Sequence, residues 1–175
     1  MHRVIIEILA SIIGFFALVS LDHLFIAAGF FSIWAFLAIY LYEKLERPIV
    51  WGSLILAGVA LGVTVGVGIG TYVFSVGLSL LFLFLVKKLI PDDHFLGRYI
   101  PYLLSFSLFY LFRLILGDLS NNGTFPLILW EDIHGFLVKA CISTVLVIVI
   151  DRFYSQLRHN GNPPSRGVGI EVRRR

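Results

Sequence analysis

Between Val50 and Val86 the chain runs 37 residues without one Asp, Glu, Lys, Arg or His. A single helix of that length would reach about 55 Å, nearly twice the roughly 30 Å of a bilayer's hydrocarbon core. The run therefore reads as two helices joined by a tight turn. Water is the wrong solvent for such a segment. The whole chain agrees, with 58% hydrophobic residues, 14% charged residues and a mean hydropathy of +0.91. A soluble domain carries about a quarter charged residues. The expectation is an integral membrane protein.

The apolar runs do not alternate with polar residues, which excludes a spanning β-barrel. The fold class expected is all-α, a polytopic transmembrane helical bundle of about six spans, forming one domain over residues 1–155. The spans are placed at 4–21, 24–42, 49–67, 70–88, 99–117 and 131–150, with the break between the first two at Asp22-His23. Residues 156–175 read as a disordered basic cytoplasmic tail. Arg3 ahead of an apolar run could suggest a signal peptide. The run is too long for one and lacks a small-x-small cleavage site, so it is taken as a retained helix.

Charge is strongly sided on this plan. Arg3, Lys44, Arg47, Lys87, Lys88, Arg98 and the six arginines after residue 150 all fall on one side, twelve basic residues in total. The turns on the other side hold no Lys or Arg but contain Asp22, Asp118, Glu131 and Asp132. The positive-inside rule then puts both termini in the cytoplasm of a bacterial inner (cytoplasmic) membrane. The basic face meets membrane lipids. With no soluble basic domain, nucleic acid is not an expected partner.

The stretch "GVALGVTVGVGIG" carries Gly58, Gly62, Gly66 and Gly70 four apart, with Gly68 between the last two. Small residues at that spacing let helix backbones approach closely in lipid. They are expected to form a helix-packing groove, and Gly66, Gly68 and Gly70 to make the turn into the next span. No Lys-Ser/Thr follows, so this is no phosphate loop.

Charges within spans are costly and call for partners. Arg113 and Lys139 fall in the outer halves of the last two spans, flanking a loop region with Asp118, Glu131, Asp132 and His134. These six residues form the candidate outer polar site. Ion pairing across the hairpin is one reading; contact with a partner or an anionic ligand is the other. Cys141 is expected to be a small buried residue. Asp92, Asp93 and His94 are too few and too local for a metal site. No nucleophile–base–acid set stands out, so no catalytic residue, metal or cofactor is expected and the chain is read as non-enzymatic.

The order of these features resembles the rod shape-determining protein MreD family. The resemblance covers about 22–155. It rests on "AIYLYEKLERP" ending a hydrophobic helix, the glycine-rich pair "GVALGVTVGVGIGTYVF", the basic end "VKKLIP" and two last helices before a basic tail. The family's Asp position is filled by Val63 or Thr64. The resemblance implies a scaffold subunit of the cell-elongation machinery, working with a bitopic shape protein and peptidoglycan synthases. The same pattern also looks like the substrate-binding membrane subunit of a vitamin-type uptake transporter, the alternative function.

Overall fold

A computed structural model describes residues 2–42, 48–68, 70–90 and 94–161. Among them are six helices: α1 (His2–Ala27), α2 (Ile33–Leu41), α3 (Pro48–Thr64), α4 (Thr71–Leu89), α5 (Phe95–Asn122) and α6 (Trp130–Gly161). No strand occurs among the described residues, and the chain is an all-α bundle. Helices α4, α5 and α6 are each long and apolar enough to cross a membrane, and Ile13–Ala27 and Trp51–Thr64 are shorter apolar segments. Exposed Phe74, Leu81, Phe84, Val145 and Val149 give the bundle an apolar outside. That is the surface a lipid environment requires.

The first two helices differ from the expected spans. α1 passes through Asp22-His23 without a break and ends at Ala27. A glycine stops it. Gly29 has φ 78°; its amide donates to the Ile26 carbonyl and the Phe30 amide to that of Phe25. This is the Schellman helix ending, which needs a left-handed residue just past the last turn. The Phe25 and Phe30 rings meet at 5.9 Å, the apolar contact that accompanies it. Ser32 then starts α2, its hydroxyl accepting from the Ala35 amide. The expected span 24–42 is thus divided between the end of α1, a turn and a nine-residue helix. At 1.5 Å per residue α2 covers about 14 Å, so it cannot cross a bilayer alone.

α2 is instead the middle of the bundle. It packs against α1, α3, α4 and α5. Trp34, Ala35, Phe36, Ala38, Ile39 and Tyr40 are all buried. Phe36 stacks on Phe106 of α5, and the Trp34 indole donates to the Leu54 carbonyl of α3 at 2.7 Å. Trp34 is thus a core residue.

The turn between α3 and α4 lies where the glycines put it. Gly66 gives a second Schellman ending: its amide reaches the Val63 carbonyl and the Val67 amide that of Gly62. Gly66, Gly68 and Gly70 all have positive φ. The continuous groove does not form, because the stripe is shared between two tasks. A Cβ on Gly58 would strike the Trp34 ring, and one on Gly62 would lie 2.6 Å from the Gly68 carbonyl oxygen. Gly66 and Gly70 belong to the turn. The chain itself fills the face that a partner helix would need.

α4 and α5 form the most extensive pair, followed by α5 and α6. Each pair is antiparallel, as Tyr72 against Phe109 and Lys87 against Tyr102 show for the first. Lys87, Lys88, Arg98 and Arg152 consequently gather at one end of the bundle, and the 66–70 turn, Gly123 and Trp130 at the other. α6 remains helical through 156–161, where a tail was expected to have begun; residues 162–175, like Asp92 and Asp93, lie outside the described residues. Cys141 is exposed on α6, not buried. In an apolar helix outside surface faces lipid, so the small side chain has no packing role to fill there.

Candidate functional site

Tyr110, Arg113, Gly117 and Asn121 are spaced three or four residues apart on α5 and so share one face. Phe136 and Lys139 do the same on α6. Where these two stripes meet, with Val67 of the α3–α4 turn, they enclose a cleft of about 290 Å³ also lined by Leu114 and Asp118. Gly117 is in the middle of the wall and leaves space that a side chain would take. Asn121 ties the α3–α4 turn to α5, its side-chain amide donating to the Gly66 carbonyl at 2.8 Å.

Two cations face this cleft. Arg113 and Lys139 are both half-buried, and among the described residues neither has a carboxylate within ion-pair distance. They act on each other as like charges. The Arg113 guanidinium is over the Tyr72 ring, 5.0 Å from its centroid, a cation–π placement. The Tyr72 hydroxyl is buried, with no hydrogen-bond partner among the described residues. Such an arrangement can attract and orient an anion; it contains no nucleophile with an adjacent base.

Behind the cleft is a polar centre that sequence reasoning missed. Asp22, expected in an outer turn, is wholly buried. Both its carboxylate oxygens accept from the Ser32 hydroxyl, at 3.0 and 3.1 Å, and Oδ1 accepts from the Trp34 amide at 2.9 Å. These are first-turn groups of α2, where free amides and the helix dipole favour a negative charge. The Ser32 amide donates in turn to the Tyr110 hydroxyl at 3.0 Å. Tyr110 thus joins the start of α2 to the cleft wall. The local signals were present: Gly29 as a helix stop and Ser32 as a start put α2's first turn within reach of Asp22.

The six residues of the candidate outer polar site separate. Arg113, Asp118 and Lys139 come together in the cleft. Asp132 is a helix cap, its Oδ2 accepting from the Leu129 amide at 3.0 Å, half of a capping box. Glu131 is exposed in the same first turn of α6. His134 is an exposed residue edge-on to Trp130, and it lines a neighbouring hollow with Gly29, Phe30 and Lys139. The expected pairing of the cations with these acids is not formed among the described residues. The acids lie at the ends of α5 and α6, whereas Arg113 and Lys139 lie deeper along them.

Comparison with protein-family models, curated proteins and solved structures finds no match to this chain.

Proposed function

We propose that this chain is a non-enzymatic membrane protein that binds an anionic ligand in the Arg113–Lys139 cleft, as the substrate-binding subunit of a small-molecule uptake system would. One observation carries the reading: two half-buried cations line one cleft, and no carboxylate among the described residues pairs with either. A cation within an apolar helix costs about 2.5–3.5 kcal/mol on insertion scales. Asp118 lines the same cleft but makes no ion pair with either, and two cations kept side by side in this way are best explained by a further negative charge that arrives from outside.

The scaffold role in cell shape, implied by the resemblance to the MreD family, would bind its partners through an open glycine groove. Trp34 and the 66–70 turn occupy that face, so the cleft is the better candidate surface. With the basic end in the cytoplasm of a bacterial inner membrane, the cleft faces outward, where a ligand would be captured.

Native mass spectrometry of the tagged chain, gently extracted from its own membranes, tests this. Retention of a small anion or a transport ATPase supports uptake. Retention of a bitopic membrane protein, undiminished by Arg113→Gln and Lys139→Gln, would replace the uptake reading with the scaffold one.

A further inference from the structure

At the opposite end of the bundle a second pocket has no part in the site described above. We propose that it holds the phosphate headgroup of an anionic lipid, gripped by Arg98 and Arg152.

The pocket, about 380 Å³, lies between the first turn of α5 and the last third of α6. Each helix contributes one arginine, and neither guanidinium has a carboxylate within ion-pair distance among the described residues. The carboxylate that does line the pocket, Asp151, accepts from the Tyr40 hydroxyl of α2 at 2.9 Å. His94 precedes α5 without a side-chain cap of its own, so among the described residues no side chain takes that helix's first amides, which favour an anion. A guanidinium pair with helix amides matches the geometry and charge of a phosphate.

Apolar surface beside the pocket selects a lipid over a free phosphate. Phe95 and Leu96 of the same first turn are 55% and 65% exposed, and Phe153, next to Arg152, is 62% exposed. Water disfavours such a surround, whereas acyl chains complete it. Lys87 and Lys88 end α4 at this level, so the pocket opens at the depth where apolar helix gives way to charge. Basic hollows between helices at that depth are where anionic headgroups bind.

The test uses the full chain purified in neutral detergent–phosphatidylcholine micelles, with phosphatidylglycerol as probe and melting temperature as readout. Wild type is expected to be stabilised. The phosphatidylglycerol level for half-maximal stabilisation should rise about fivefold in Arg98→Gln and in Arg152→Gln, since each basic residue near a surface contributes about 1 kcal/mol. Lys88→Gln removes the same charge from the same end outside the pocket and should behave as wild type. Equal weakening in Lys88→Gln would mean diffuse surface charge and overturn the site. Equal stabilisation by inorganic phosphate would overturn the choice of a lipid.

Discussion

Asp22 and Ser32 face each other across the turn between α1 and α2, and the Ser32 hydroxyl meets both carboxylate oxygens of Asp22, at 3.0 and 3.1 Å. This contact holds the start of a nine-residue helix inside the bundle. Removing the carboxylate leaves the Trp34 amide and the Ser32 hydroxyl without their acceptor. Asp22→Ala should cost about 1–3 kcal/mol, the range for leaving a buried donor unsatisfied. In melting temperature that is roughly 5 °C for a chain of this size. Asp22→Asn keeps one acceptor and should lose less; His23→Ala, at an exposed position, should lose nothing measurable. Equal melting temperatures for Asp22→Ala and His23→Ala would show that the contact contributes nothing.

The glycines of α3 and α4 make different predictions by position. A Cβ on Gly62 meets a backbone oxygen that cannot swing away, and one on Gly58 meets the Trp34 ring; one on Gly77 meets nothing within 4 Å. Overpacking a fitted interior costs about 1–3 kcal/mol. Gly58→Ala and Gly62→Ala should therefore lower the melting temperature, while Gly77→Ala should leave it unchanged or raise it. Uniform tolerance of all three would remove the packing role given to Gly58 and Gly62.

Those glycines also show how far the sequence could be read. The 37-residue uncharged run specified two helices and the glycine cluster their turn, because length and φ > 0 are local demands. The α1–α2 region was misread for the opposite reason. Hydropathy sees "LFIAAGFFSIWAFLAIYLY" as one span, since every residue in it is apolar or small. The stop at Gly29 and the start at Ser32 are written in backbone geometry, which an average over side chains conceals. Asp22 was placed in a turn because a carboxylate amid apolar residues looks like a boundary. Its burial depends on amides supplied by α2, a tertiary fact. Arg113 and Lys139 stood out because charge in a span is expensive, but their lack of carboxylate partners depends on depth along two helices.

Sidedness of the bundle is testable without a ligand. In a Cys141→Ala background, Asn122→Cys and Ser155→Cys put single thiols at exposed positions at opposite ends. An impermeant maleimide added to intact cells should label Asn122→Cys alone. Labelling of Ser155→Cys alone would invert the orientation and put the Arg113–Lys139 cleft on the cytoplasmic side.

A second carboxylate in the cleft, placed beside Arg113 and apart from Asp118, should satisfy the two cations directly. Leu114 lines the cleft beside Arg113. Leu114→Glu is expected to raise the melting temperature, against the usual penalty for a carboxylate within a span. Leu104→Glu, on the lipid-facing surface of the same helix, is expected to lower it. Destabilisation of equal size by both would mean that Arg113 and Lys139 do not want for an anion.

Anion binding to the Arg113–Lys139 cleft can be measured directly. The measurement is the melting temperature of the full chain titrated with inorganic pyrophosphate and with citrate, one phosphate and one carboxylate probe. At least one should stabilise wild type, and Arg113→Gln and Lys139→Gln should each weaken that response about tenfold or more, as loss of a charge-assisted hydrogen bond implies. No shift with either probe in wild type, or an undiminished shift in both variants, would contradict it.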